Sequence, residues 1–265
     1  MTNLLSQMEV YVKQKRNVFS LGGQVILNRS KKLSTAFVLC AAVGLSACSH
    51  TEGVNDPMES MNRKIHTFND KFDNYLLKPI AKGYVYVTPG FVQTGVSNFF
   101  DNLSYPLVAV NQALQGKGRL AVQDTVRFAL NTTVGVGGLF DVAKNIGLEK
   151  HEEDFGQTFA AWGVESSPYI VVPFWGPTTL RDGLGSITTS YAHPLSNLEY
   201  FDERKGLRTG LLALSVVDKR ARLLEAEKLL SGDKYLFMRD AYLQRRDYLI
   251  NDGAVEEDPF LDGEE

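Results

Sequence analysis

Cys48 is the side chain whose type and setting point most directly to chemistry in this sequence. It ends a segment in which a mostly apolar run, residues 33–45, follows the basic residues Arg29, Lys31 and Lys32 and leads to small residues at positions 46 and 47. A basic flank, a short apolar stretch and small residues are the build of a secretory signal peptide. The alternative of a transmembrane helix is disfavoured, because thirteen residues are too few to cross a hydrocarbon core that needs about 20.

The tetrapeptide that ends in Cys48 resembles the lipobox of bacterial lipoproteins. The resemblance implies that the Cys48 sulfur carries a diacylglycerol, that residues 1–47 are removed, and that the new amino terminus carries an acyl chain. Several chains together anchor a protein stably. Ser49, in place of Asp, resembles the sorting signal for the outer membrane. Residues 1–28 are long for the start of a signal peptide, and we expect an upstream start codon chosen in error.

The charge balance excludes some partners. Residues 1–47 hold six of the 28 basic and one of the 31 acidic residues, so the remaining 218 residues have 22 basic and 30 acidic side chains and a formal charge near −8. Nucleic acid is therefore not expected as a partner, since it needs a basic face. Cys48 is the sole cysteine after the signal, which excludes an intramolecular disulfide.

Hydrophobic periodicity predicts an all-α domain over residues 55–251, followed by an acidic, disordered tail at 252–265. In the first helix, apolar residues share one face and are expected to pack in the core, and Pro79 is expected to end the helix near Leu77. Residues 167–177 contain three prolines, so they are expected to form an extended connector rather than a central strand. The other predicted helices begin near positions 88, 120, 154, 178, 205 and 233. Asp154 and Asp233 are expected to cap two of them, and the glycines at 116 and 118 predict a break before the helix near 120.

A glycine-rich, uncharged segment lies between two predicted helices. Its residues are Gly135, Val136, Gly137, Gly138, Leu139 and Phe140, followed by Asp141. This glycine density excludes a stable helix interior, and the lack of charge indicates burial against protein or lipid. Two interpretations stay open: a turn that lets helices pack closely, or a functional loop. A nucleotide site is disfavoured, because neither the dinucleotide fingerprint nor the Walker lysine is present.

Enzymatic and metal-binding alternatives find little support in the sequence. A lipase or esterase would need a nucleophile, a base and an orienting acid, and no G-x-S-x-G motif is present. The run from His151 to Asp154 lacks the spacing of a zinc motif, so no metal or other cofactor is expected beyond the lipid on Cys48. A structural lipoprotein scaffold bound to a porin remains as an alternative function.

The ordered set of motifs resembles one family over about residues 55–251. The motifs are N-D-P-M-E-S-M-N-R at 55–63 with Phe68-Asn69, S-N-F at 97–99, E-D-F-G-Q-T at 153–158, V-P-F at 172–174 and R-D-A-Y-L-Q-R-R at 239–246. Each motif alone is weak, but their order is specific to the MlaA/VacJ phospholipid-binding lipoproteins.

The resemblance implies a single ring-like domain of amphipathic helices, embedded in the inner leaflet of the outer membrane beside a trimeric porin. It implies removal of misplaced phospholipids from the outer leaflet through an amphipathic channel, and their delivery to a periplasmic carrier of the MlaC type. Within that family, Phe68 and Asn69 fall at a sensitive point of the first helix. Residues 135–140 fall on the loop thought to control the channel.

Overall fold

The computed structural model describes residues 56–197, 204–229 and 232–253, and these residues are mostly helical. The predicted lipidation and sorting positions, Cys48 and Ser49, lie outside the described residues, as does the tail from residue 254 onward. The helical class predicted from the sequence is confirmed, with one small β-hairpin added to it. No helix in the described ranges is both long and apolar enough to cross a membrane.

The first helical segment runs further than the sequence predicted. Helix α1 (Glu59–Phe72) continues through a π-helical stretch (Asp73–Leu77) into α2 (Lys78–Val87). The expected end near Leu77 was wrong, because Pro79 lies in the first turn of α2, where a missing N–H is tolerated. The π-helical stretch widens the helix directly before the proline, and such widened turns are frequent at functional sites.

The apolar face of α1 does not form the core that its spacing predicted. Met61 is 40% and Phe68 46% exposed, and Tyr75, which continues this face in the π-helical stretch, is 84% exposed. The residue that α1 buries completely is Asn62. Ile65 lies against a small core cluster of Tyr169, Val171 and Tyr235. The helix therefore turns a polar side toward the protein and leaves much of its apolar side open.

Helices α3 (Gly90–Leu114) and α4 (Gly118–Thr133) form an antiparallel pair joined by a short turn at residues 115–117. Helix α3 passes through Pro106 without ending. Much of the buried surface of this pair is polar, and its fully or nearly fully buried side chains include Asn102, Asn111, Gln112, Asp124, Arg127 and Asn131. Buried polar groups are generally hydrogen-bonded, but one side-chain oxygen of each of Asn102, Gln112 and Asp124 has no partner among the described residues.

A β-hairpin takes the place of the extended connector. Strands β1 (Tyr169–Val172) and β2 (Gly176–Thr179) pair antiparallel, with Val171 opposite Pro177. The helix that follows the hairpin, α6 (Leu180–Ala192), begins two residues later than predicted, because Thr179 ends the strand and caps the helix by accepting a hydrogen bond from the Asp182 N–H. The short helix before the hairpin, α5 (Phe155–Ala161), is capped by Asp154 as its sequence predicted.

Three further helices complete the described chain. They are α7 (Pro194–Asn197), α8 (Lys205–Ala226) and α9 (Lys234–Ile250), with 3₁₀ turns at Ala143–Ile146 and Glu227–Leu229. Asp233 caps α9 through the backbone N–H groups of Tyr235 and Leu236, in agreement with the sequence prediction. Helix α8 lies against α2 and α3, and α9 lies against α5 and β2.

Candidate functional site

The glycine-rich segment forms a tight loop after α4, which we call the glycine loop (residues 134–140). Its backbone folds back on the end of the helix: the Gly137 N–H donates to the Thr132 carbonyl at 2.9 Å, and the Gly138 N–H donates to the Asn131 carbonyl at 2.8 Å. Three consecutive residues, Val136, Gly137 and Gly138, have positive φ angles. Glycine adopts such angles without steric cost, which explains why positions 137 and 138 are glycines.

Two glycines of the loop are required by close contacts as well as by conformation. A Cβ atom on Gly135 would lie 2.2 Å from the Phe140 carbonyl oxygen, and one on Gly138 would lie 2.6 Å from the Asn102 side chain. Gly137 is different, because nothing lies within 4 Å of its Cβ position. The loop is thus tightly packed against α3 and α4 on one side and open on the other.

An ion pair between a buried arginine and a partly buried aspartate closes the base of the glycine loop. The Arg127 guanidinium binds both carboxylate oxygens of Asp141 at 2.9 and 2.8 Å, and Asn131 donates to Asp141 at 2.9 Å. Arg127 also donates to the Tyr105 hydroxyl at 2.9 Å. Burial alone would raise the pKa of Asp141, but the hydrogen bonds from Asn131 and Arg127 outweigh it and lower this pKa.

The outer side of the glycine loop is apolar and exposed. Val136 is 62%, Leu139 41% and Phe140 62% exposed. The Asn98 side chain of α3 donates to the Leu139 carbonyl at 3.1 Å. Gly95, which is also on α3, lies beside Leu139. A fixed base and an apolar outer side are the two properties that the structure gives to this loop.

The predicted pair Phe68 and Asn69 contacts the β-hairpin. The Asn69 side chain donates to the Val172 carbonyl at 3.0 Å and accepts from the Phe174 N–H at 2.9 Å. The Phe68 ring meets the Phe174 ring edge-on at a centroid distance of 5.1 Å. Among the described residues, no hydrogen bond or ring contact joins this pair to the glycine loop, so the two groups of predicted site residues lie in separate local environments.

Asn62 repeats this interaction seven positions earlier, although it was not among the predicted site residues. Its carboxamide donates to the Tyr169 carbonyl at 3.1 Å and accepts from the Val171 N–H at 2.9 Å. Seven residues are about two helical turns, so Asn62 and Asn69 occupy the same side of α1. Each asparagine carboxamide bonds one carbonyl and one N–H of the hairpin, which are the two kinds of backbone group that a further strand would otherwise bond. The recurrence of asparagine every second turn of the helix is the sequence signal that could have revealed the role of Asn62.

A chain of four charged residues braces the π-helical stretch. Arg220 of α8 binds both oxygens of Asp73 at 2.7 and 2.8 Å and one oxygen of Glu227 at 2.6 Å, and Glu227 binds Lys78 at 2.6 Å. The hydrogen bond to Asp73 is the main reason that the pKa of Arg220 is raised. Asp73 begins the π-helical stretch and Lys78 directly follows it, so these ion pairs hold the stretch against α8.

Large apolar side chains are exposed along much of the described chain. Those at least 60% exposed are Tyr75, Tyr86, Val87, Phe91, Val122, Val134, Val136, Phe140, Ile146, Phe174, Trp175 and Tyr191. An apolar exposure this widespread marks a surface that contacts lipid or another protein. No group of three or more His, Cys, Asp or Glu side chains in the described ranges could hold a metal ion.

Comparison with known proteins defines the class of protein to which these features belong. Residues 54–249 match the family described as MlaA lipoprotein. Relatives from several bacteria bear the name "Intermembrane phospholipid transport system lipoprotein MlaA". The one from Escherichia coli is 36% identical over 228 residues, which cover 84% of this chain and 87% of the relative. The one from Haemophilus influenzae is 31% identical over 244 residues, which cover 86% and 94%.

A solved structure supports the same assignment. It comes from work on the "Structural basis for maintenance of bacterial outer membrane lipid asymmetry", and it matches with a TM-score of 0.64 at 35% identity, over 74% of this chain and 99% of that one. The chain therefore belongs to the MlaA lipoprotein family.

Proposed function

We propose that this protein removes phospholipids from the outer leaflet of the outer membrane through an amphipathic channel and hands them to a periplasmic carrier. The observation that carries the proposal is the family match over residues 54–249, because relatives of this family are named as phospholipid transport lipoproteins. The substrate class is outer-membrane phospholipid, and the result of transport is the maintenance of lipid asymmetry. Cys48 carries the lipid anchor in this proposal, and the protein sits on the periplasmic side in the inner leaflet.

The surface chemistry supports a position in one leaflet. Exposed aromatic and aliphatic residues such as Tyr86, Val87 and Phe91 lie at the junction of α2 and α3, and burying them in hydrocarbon would gain about 25 cal/mol per Å² of apolar area. Helices suit this position because they satisfy their backbone groups internally. A neighbouring trimeric porin would cover part of the remaining apolar surface.

The glycine loop is the candidate for control of the lipid path. A phospholipid headgroup crosses hydrocarbon only along a polar path beside apolar walls for its tails. The loop has an exposed apolar side at Val136, Leu139 and Phe140, and the polar side chains of Asn98 and Asn102 on α3 contact its backbone from the other side. In our proposal this loop opens away from α3 while the Arg127–Asp141 pair keeps its base in place.

Phe68 and Asn69 affect transport indirectly in this proposal. They fix the β-hairpin to α1 through the two backbone hydrogen bonds of Asn69. Losing them would change the position of the hairpin and the rotation of the helix that follows. This explains why a site without a contact to the glycine loop would still influence lipid flow.

A labelling experiment in whole cells tests the proposed function. Phosphatidylethanolamine in the outer leaflet is quantified with an amine reagent that does not cross membranes, in cells with and without this gene. We expect surface phospholipid to rise on deletion and to return to the original level when the wild-type gene is restored. Unchanged surface phospholipid would contradict the proposal and favour the alternative of a structural scaffold bound to a porin.

A further inference from the structure

The tip of the β-hairpin, residues 173–175, combines strain with exposure. Phe174 has a φ of +62°, a conformation that is rare for a bulky side chain. Phe174 is 66% and Trp175 64% exposed. A strained residue of this kind persists only where its surroundings hold it, and such residues concentrate at functional positions.

The surroundings of Phe174 hold it firmly from the side of α1. Asn69 accepts from its N–H at 2.9 Å, and the rings of Phe68 and Phe72 meet its ring edge-on at 5.1 and 5.0 Å. The backbone N–H of Trp175 donates to the Val172 carbonyl at 3.2 Å, and this hydrogen bond closes the turn. The backbone of the tip is therefore fixed, while most of the two aromatic side chains remains uncovered.

The composition of the tip indicates what covers it. Residues 166–180 contain no charged side chain. Exposed apolar side chains also occur on α1 at Phe68 and in the π-helical stretch at Leu76, each 46% exposed. Within the described part of the chain, no acceptor binds the Trp175 indole N–H. An exposed apolar ring that carries a single N–H donor suits the boundary between lipid headgroups and acyl chains, where tryptophan is enriched.

We propose that the hairpin tip is a membrane-contact element that places Trp175 at the headgroup boundary of a phospholipid leaflet, and that Asn69 is the residue that positions it. This inference rests on the proposed function, which puts the protein at a membrane. It adds a defined lipid contact outside the glycine loop. In this proposal Asn69 orients the hairpin tip, whereas the lipid on Cys48 attaches the protein to the membrane.

Tryptophan fluorescence can test this contact directly. The chain has two tryptophans, so the Trp162→Phe variant leaves Trp175 as the single reporter. The lipidated variant is reconstituted into vesicles of phosphatidylethanolamine and phosphatidylglycerol that contain phospholipids brominated near the headgroup or deep in the acyl chain. We expect blue-shifted emission and stronger quenching by the shallow bromines. In the same background, Asn69→Ala should reduce the quenching about twofold, since the strained turn loses its support, whereas Asn145→Ala, a loss of an exposed asparagine, should leave it unchanged.

The possible results separate this inference from the proposed function. Emission like that of tryptophan in water, from protein shown by flotation to be on the vesicles, would overturn the inference and leave the membrane anchor intact. Blue-shifted emission without quenching by either lipid would also overturn it, because the tip would then be covered by protein. Equal quenching in the Asn69→Ala and Asn145→Ala variants would refute the positioning role of Asn69.

Discussion

Substitution of Gly138 by alanine gives the most discriminating test of the packing of the glycine loop. Gly138 has a φ of +90°, and its Cβ position lies 2.6 Å from the Asn102 side chain. Gly137 has a φ of +68° with nothing within 4 Å. Alanine at either position therefore adopts an unfavourable φ, which costs about 1–2 kcal/mol. Only at position 138 does the added methyl group also collide with the Asn102 side chain of α3.

The collision sets the size of the expected difference between the two variants. Asn102 cannot withdraw easily, because it donates to Thr132 at 2.9 Å and is buried. Forcing an extra methyl group into a packed site costs about 1–3 kcal/mol. In a domain of this size, 1 kcal/mol changes the unfolding midpoint by about 2–4 °C. We therefore expect Gly138→Ala to unfold about 5 °C below Gly137→Ala.

Thermal unfolding in one detergent, followed by far-ultraviolet circular dichroism, measures this difference. Gly137→Ala serves as the matched control, since it shares the positive φ and lacks the collision. Equal midpoints for the two variants would refute the reasoning, because they would show that Asn102 yields without cost. A lower midpoint for Gly137→Ala would refute it more strongly.

Three further predictions follow from the sequence and the site. Cys48→Ser should keep the signal peptide and weaken membrane retention, because the lipid acceptor is gone; electrophoretic size and cell fractionation check this. Deletion of Phe68 and Asn69 rotates the helix beyond them by about 200° and removes the hairpin contact, so surface phospholipid labelling should change while the protein still accumulates. The pKa of Asp141 is lowered in the folded protein, so its stabilising effect is present above the ordinary value of 3.8 and is lost as the pH falls through the lower folded value. Asp141→Asn should accordingly lower the unfolding midpoint near neutral pH but reduce its further fall on acidification below pH 3.8.

Each of these predictions has an outcome that contradicts it. Unchanged processing and retention of Cys48→Ser would remove the basis for the anchor, provided that no porin holds the protein in place. Normal accumulation of the two-residue deletion with wild-type surface phospholipid would show that the hairpin contact is dispensable. Parallel pH profiles for wild type and Asp141→Asn would mean that the ion pair does not contribute to the acid sensitivity of the fold.

The sequence allowed the helices to be predicted where local signals were strong. Asp154 and Asp233 cap helices as expected, since a capping side chain acts within three residues of its own position. The break at residues 115–117 and the irregular backbone at residues 134–140 were also predictable from glycine. The expected helix end before Pro79 was wrong, because the π-helical stretch leads into a new helical segment in whose first turn the missing N–H of that proline is tolerated.

The site was less predictable, because its contacts join distant parts of the chain. Asn69 reaches Phe174 across 105 positions, and Arg220 reaches Asp73 across 147. Periodicity shows which residues share a helix face, but it does not show whether that face meets protein or lipid. The apolar stripe of α1 was therefore assigned to a core, although Phe68 and Tyr75 are largely exposed.

Reversible locking of the glycine loop tests most directly whether phospholipid passes through this protein under the control of that loop. A Cβ atom on Gly95 would lie 3.7 Å from the Leu139 carbonyl oxygen and 3.9 Å from Leu139 Cδ2. Cysteines are therefore placed at these two neighbouring positions, and the fraction that forms a disulfide is measured by thiol labelling. Gly95→Cys alone is the control. We predict that oxidation of the double variant raises surface phospholipid to the level of the deletion strain and that a reductant reverses the effect. Normal surface phospholipid with a fully formed disulfide would contradict loop control, and would assign the glycines to packing alone.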